Sequence, residues 1–216
     1  MRPSPPHCVR PLHRARHPVH VTLRAHPGLA SFRSDTVYAA LERALARASK
    51  SFFRVIEFSV QTDHIHLIVE AEGRLALTRG TQGLAIRCAR AINRATHRRG
   101  RVWRHRYHAH YLRTPSEVRA AYVYVLLNFR KHLRAGPGID PRSSGRWFGG
   151  WVRPAAPMDE PAPVVRPRTW LGAIGWRRAG GAIDCGESPA TARAAQSIFT
   201  LVTGSSDWRP SWQSTA

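Results

Sequence analysis

The chain has 216 residues, of which 43% are hydrophobic, and carries a formal net charge of +21 from 34 basic and 13 acidic residues. That length suits one domain with an extension, or two small domains, and is enough to bury a core without disulfides. Three widely spaced cysteines, Cys8, Cys88 and Cys185, form neither a disulfide framework nor a zinc-ligand spacing. No apolar segment follows a basic start as in a secretory signal, and every apolar run falls short of the ~20 residues that cross a bilayer, so a cytoplasmic protein without membrane contact is expected.

All but two of the basic residues are arginines, the exceptions being Lys50 and Lys131. Such an excess repels itself and attracts polyanions, of which nucleic acid is the commonest. Guanidinium groups fork onto phosphates and stack on bases. A GC-rich coding bias accounts for arginine over lysine but not for the shortage of Asp and Glu, so nucleic-acid binding is expected.

Taken in order, residues 1–17 form a basic arm rich in Pro, Arg and His, ordered only where something holds it. Residues 19–25 (VHVTLRA) alternate, with Val19, Val21 and Leu23 on one face and His20, Thr22 and Arg24 on the other, as in a half-buried strand. Ser34 or Asp35 can cap a helix to about Ser49, whose stripe is Val37, Leu41, Ala44, Leu45 and Ala48. Residues 52–60 and 64–71 read as a strand hairpin across Gln61–Asp63. A helix is expected from Leu75 to about Arg98, with Gly80 and Gly83 weakening its first turns and Gly100 ending it. Residues 101–113 (RVWRHRYHAHYLR) are aromatic and basic and contain a strand. Thr114-Pro115-Ser116-Glu117 is a capping-box helix start, and the helix is expected to reach about Leu133. The fold class is therefore α+β: a ferredoxin-like β-α-β-β-α-β antiparallel sheet with one added helix. Residues 136–216, rich in Gly, Pro and Trp, read as an irregular extension in which Trp147, Trp151, Trp170 and Trp176 either anchor it to the domain or stack on bases.

Two features carry chemistry. In QTDHIHLIVE, His64 and His66 share one strand face while Ile65, Leu67 and Val69 share the other. Paired imidazoles on a rigid face are either half of a metal site or two polar residues facing solvent. On the last helix, Val118, Ala121, Tyr122, Val125, Leu126, Phe129 and Leu133 form the apolar arc at about 100° per residue. Tyr124 and Asn128 lie one turn apart at its margin, with Lys131 near them. Taken alone, Tyr124 there is an amphipathic residue at a core boundary.

Together, a His-hydrophobic-His strand and a later helix carrying Tyr-x-x-x-Asn resemble the HUH endonucleases with a single tyrosine, and within them the insertion-sequence and REP-associated tyrosine transposases. The resemblance spans about His17 to Leu133. HPVHVTLR is similar to the family's first strand, FSVQTDHIHLIVEA to its histidine strand, LAIRCARAINRATHRRGRVW to the helix and basic turn that follow, and RYHAHYLRTPSEVRAAYVYVLLNFRKH to the final strand and tyrosine helix. The chain departs from the family in Gln61-Thr62-Asp63, where many members carry Met-Pro-Asn, in Phe129, where many carry proline, and in Leu127, where asparagine is frequent.

The resemblance implies that residues 18–135 are the endonuclease domain, with Tyr124 as nucleophile and His64, His66 and Asn128 as ligands of Mg²⁺ or Mn²⁺. It implies a strand transferase acting on single-stranded or hairpin DNA through a 5′-phosphotyrosine, in a bacterial, nucleoid-associated monomer or homodimer. Arg24, Arg104, Arg106 and Lys131 are the expected phosphate contacts. Three other readings compete: a relative that binds DNA hairpins without cutting, a non-catalytic ferredoxin-like RNA-binding module, and a structural zinc protein using His105, His108 and His110. The RNA module would display base-stacking aromatics where this chain has histidines, and the zinc protein lacks cysteine partners.

Overall fold

The computed structural model describes residues 12–130, 136–156 and 159–188. The elements are β1 (Val19–Arg24), α1 (Asp35–Ala46), β2 (Phe53–Val60), β3 (His64–Ala71), α2 (Arg74–Ala95), β4 (His108–Tyr111) and α3 (Pro115–Leu127), followed by a short helix α4 (Trp170–Ala173) between two 3₁₀ turns. The sheet is antiparallel in the order β2-β3-β1-β4, so the expected ferredoxin-like arrangement is present.

Alternation on the central strands divides the molecule into two cores. Val19, Val21 and Leu23 of β1 and Ile65, Leu67 and Val69 of β3 pack with α1 and α2. Ile68 of β3 packs with α3 on the opposite face. In β2 the register shifts between Val55 and Glu57, and Ile56 turns into the second core while Val55 and Phe58 stay in the first.

Helix α1 ends at Ala46 and α2 at Ala95, short of the expected Ser49 and Arg98. Beyond α2 the chain reverses through His97 and Gly100, both at positive φ. Gly80 has a packing reason: a Cβ there would lie 2.1 Å from Cγ of Phe53, so a side chain would push α2 off the sheet. Helix α3 starts as its sequence dictates. The Glu117 backbone N–H donates to Thr114 Oγ1 at 3.2 Å, and Glu117 Oε2 accepts from the Thr114 backbone N–H at 3.0 Å. Asn128 is the C-cap of α3 and keeps helical backbone angles, and residues 129–130 are again helical; residues 131–135, and with them Lys131 and the expected helix end near Leu133, lie outside the described residues.

β1 is not half-buried. His20 and Thr22 are buried along with Val19 and Val21, because α3 lies across their face. Nor is α3 a one-sided amphipathic helix: Ala120 through Leu127 are all buried. An all-round apolar helix needs cover on both sides, and the extension supplies the second. Phe148, Trp151, Leu171 and Trp176 complete the core with Tyr122. The Tyr122 hydroxyl donates to the Gly172 carbonyl at 2.9 Å. Glu70, at the end of β3, accepts from the backbone N–H groups of Arg168 (2.8 Å) and Thr169 (3.0 Å) and pairs with Arg54. Arg33 forks onto Asp140, and Arg119 onto Glu187. Trp151 and Trp176 thus serve as anchors.

The arm is held where it is described: His13 is buried, 2.9 Å from the Ala71 carbonyl, with its ring stacked on Tyr111. Cys88 and Cys185 are free, and Cys8 lies outside the described residues. No helix among the described residues is long and apolar enough to cross a membrane.

Candidate active site

The site lies between the sheet and α3. In β3, alternation turns His64 and His66 toward α3, and antiparallel register sets Arg24 opposite His64 and Thr22 opposite His66. The ring of Tyr124 lies edge-on to His66, with centroids 5.0 Å apart at 76°, and to His20 at 5.6 Å and 70°. Only 8% of Tyr124 and 2% of His66 is exposed. Both are therefore interior groups rather than surface polar residues.

Each histidine is oriented by its Nδ1. His64 Nδ1 lies 2.7 Å from Asp63 Oδ1, and Arg24 closes on the other oxygen of that carboxylate at 3.0 Å. His66 Nδ1 lies 3.2 Å from both His20 Nε2 and Thr22 Oγ1. Burial, then the neighbouring His110 and His64, depress His20 to about 3, so it is a neutral imidazole. The hydrogen bond from His64 is the largest of the influences that hold the Asp63 carboxyl well below its usual range.

The Nε2 atoms of His64 and His66 face each other at 3.0 Å. When each ring carries its proton on Nδ1, two lone pairs meet there, a repulsion that a cation between them removes. Ligands at right angles on a metal with bonds of ~2.1 Å are themselves ~3.0 Å apart. Imidazole nitrogen suits Mn²⁺ at least as well as the oxygen-seeking Mg²⁺. Carboxylate–histidine pairs such as Asp63–His64 are the usual support of a metal-ligating imidazole. The donor set thus fits a divalent cation. Among the described residues no group of three His, Cys, Asp or Glu side chains is gathered for a metal, so a further protein donor would have to be of another type. Asn128 is buried against Tyr124, and its Nδ2 has no hydrogen-bond partner. A half-turn of an amide exchanges its nitrogen and oxygen, so that corner can present an oxygen donor.

Tyr124 is not ionised at neutral pH. Burial pushes its hydroxyl up to about 12, and the Asn128 side chain offsets part of that rise. A phenol held in this way is a weak nucleophile until a cation or base assists it.

The structure therefore brings together Tyr124, His64, His66 and Asn128. Arg24 is also at the site, but its guanidinium is committed to Asp63 while remaining partly exposed. Arg104 and Arg106 are exposed on the loop before β4, where the Arg104 backbone N–H donates to the Arg24 carbonyl at 2.9 Å. Sequence reasoning passed over Asp63, His20 and Thr22 as parts of the site. The alternation of β1 marked His20 and Thr22 as one polar face, but only the pairing register lays that face beside His66. Of the histidines in the zinc alternative, His105 is on an exposed loop and His108 and His110 are on β4.

Residues 16–125, half of the chain, match the family model described as "Transposase IS200 like". No curated protein matches the sequence. Among solved structures, the fold is similar to that of the REP-associated tyrosine transposase bound to a REP hairpin, with a TM-score of 0.50 and 18% identity, covering 59% of this chain and 74% of that one.

Proposed function

The chain belongs to the IS200-like transposase family, and on that premise we propose that it nicks and rejoins single-stranded DNA through a 5′-phosphotyrosine on Tyr124. The observation that carries this reading is the edge-on packing of Tyr124 on His66, whose Nε2 faces that of His64 at 3.0 Å. One ring thus sets the nucleophile beside the paired donors.

His64 and His66, with Asn128, would hold Mn²⁺ or Mg²⁺. Such a cation, when bound, neutralises charge developing on the scissile phosphate. The chain's own residues do the rest. α3 fixes the Tyr124 ring, the Asp63 and Thr22 contacts fix the two imidazoles, and burial keeps the phenol protonated until substrate arrives. The Tyr124 oxygen forms a bond to phosphorus as the bond from phosphorus to the 3′ oxygen breaks. The phenolic proton is lost and the 3′ oxygen gains one. One phosphodiester replaces another, so the step is reversible and needs no nucleotide cofactor. DNA hairpins are the proposed substrate, supported by the charge of +21 and by the hairpin bound in the structurally similar protein. Phosphate contacts are assigned to Arg104 and Arg106, with Lys131 as a further candidate and Arg24 acting mainly through Asp63. We place the endonuclease domain at residues 18–135, with residues 1–17 as an arm and 136–216 as an extension.

The test is incubation of the full chain with labelled single-stranded hairpin DNA and Mn²⁺. A covalent protein–DNA band is expected from the wild type and absent from Tyr124→Phe. A band that persists in the variant refutes the assignment.

A further inference from the structure

The hairpin that carries His64 and His66 holds one more group suited to a divalent cation. Gln61 closes the turn between β2 and β3, where its backbone N–H donates to the His64 carbonyl at 2.8 Å. The register carries on from there, with Val60 opposite Ile65 and Ser59 opposite His66. Directly opposed residues of an antiparallel pair share a face. Val60 and Ile65 lie in the core shared with α1 and α2. Ser59, Gln61, His64 and His66 therefore form one block on the other face, the side of Tyr124.

Gln61 is 1% exposed. An amide in an interior needs partners for its two donor hydrogens and its acceptor oxygen. Its Nε2 donates to Ser59 Oγ at 2.7 Å, and Ser59 is itself fully buried. Its Oε1 is buried and has no hydrogen-bond partner among the described residues. With Nε2 held by Ser59, the oxygen is the end that the fold leaves open. An oxygen left unpaired in an interior is destabilising, and coordination to a cation removes that cost. The neighbouring oxygens are already engaged. Both oxygens of Asp63 are taken, one by His64 and one by Arg24. Thr22 Oγ1 lies against His66 Nδ1, and Ser59 Oγ accepts from Gln61 itself.

We propose that Gln61 is a further metal ligand, its Oε1 joining His64 and His66 on the divalent cation. The inference rests on the metal reading of those two histidines. Three donors then come from a single hairpin, and Asn128 adds one from α3. An amide oxygen is a hard, neutral donor. Beside two imidazoles it favours Mn²⁺ and Mg²⁺ over Zn²⁺, which prefers nitrogen and sulfur. A donor set of imidazoles and amides also carries no charge of its own. The positive charge at the site is then left whole for the scissile phosphate, where a carboxylate ligand would cancel part of it.

The test uses the full chain and Mn²⁺ alone, with affinity from an electron-paramagnetic-resonance titration and inner-sphere water from water proton relaxation. Gln61→Met is close to Gln in size but lacks the oxygen. It is expected to lower Mn²⁺ affinity about tenfold or more, at least as much as the loss of a supporting group behind a ligand. It should also admit one more exchangeable water to the bound ion. The metal-free variant should melt close to wild type, because the unpaired oxygen leaves with the amide. Gln61→Glu keeps an oxygen and adds a charge, and should bind Mn²⁺ as tightly as wild type or more so. Weaker binding in Gln61→Met without the extra water marks a packing role and overturns the proposal, as does a Gln61→Glu protein that binds as weakly as Gln61→Met. Mn²⁺ binding that is lost in His64→Ala but unchanged in Gln61→Met overturns the Gln61 assignment alone. A wild-type protein that holds no Mn²⁺ overturns both this assignment and the metal reading beneath it.

Discussion

Tyr122 and Tyr124 stand two residues apart on α3 and face opposite ways: the Tyr122 hydroxyl bonds the Gly172 carbonyl in the extension, and the Tyr124 ring packs on His66 in the sheet. Two residues along a helix is a turn of about 200°, so one tyrosine serves the extension and the other the site. The two phenylalanine substitutions should therefore separate. Tyr122→Phe is expected to cost about 1 kcal/mol of stability through one buried hydrogen bond and to leave adduct formation intact. Tyr124→Phe is expected to abolish the adduct while thermal stability and DNA affinity stay near wild type. Melting curves and the adduct assay on both variants check the pair, and an inactive Tyr122→Phe protein would exchange the roles.

Asp63 is expected to support metal affinity through His64. Truncation by Asp63→Ala frees His64 Nδ1, and loss of such a supporting carboxylate typically lowers affinity about 10–100-fold. Asp63→Asn keeps an oxygen acceptor without the charge and should fall between. Calorimetric titration with Mn²⁺ measures both. An Asp63→Ala protein with wild-type affinity would remove Asp63 from the site.

Trp176 carries much of the bond between extension and domain. It is 2% exposed and packs against Tyr122 and Phe148. Trp176→Ala is expected to destabilise by about 3–5 kcal/mol, the usual range for emptying a large aromatic site. Denaturant unfolding provides the value. A change under about 1 kcal/mol would mean that the extension contributes little to folding.

Glu57 gives a pH signature. Its carboxyl is buried, which pushes it up to about 8, although the Ser144 hydroxyl donates to it. The folded state therefore keeps a proton that the unfolded chain releases near its ordinary value. Stability from this group is complete below about pH 4.5, declines as pH rises to about 8 and is flat above, by at most about 1.4 kcal/mol per unit of pKa shift. Glu57→Gln should remove that decline, raising the melting temperature at pH 8 and leaving it unchanged at pH 4.5. Parallel pH profiles for variant and wild type would show that Glu57 ionises freely.

Gly80→Ala should destabilise by about 1–3 kcal/mol through its clash with Phe53, even though alanine is the better helix former. A more stable variant would show that Phe53 has room to move.

What the sequence by itself determined is what local pattern encodes. Period-two alternation set the faces of β1 and β3, including His64 and His66 on the side away from Ile65. The Thr114-Pro115-Ser116-Glu117 capping box set the start of α3, and helical spacing set Tyr124 one turn before Asn128. These signals lie within a few residues and do not depend on what packs against them. Tertiary structure alone decided the rest, because each remaining feature needs residues far apart in the chain. Pairing of β1 with β3 brought His20, Thr22 and Arg24 beside the histidines and made Asp63 a support rather than a turn residue. The described part of the extension, which has little periodicity of its own, packs by covering the half of α3 that the sheet could not reach.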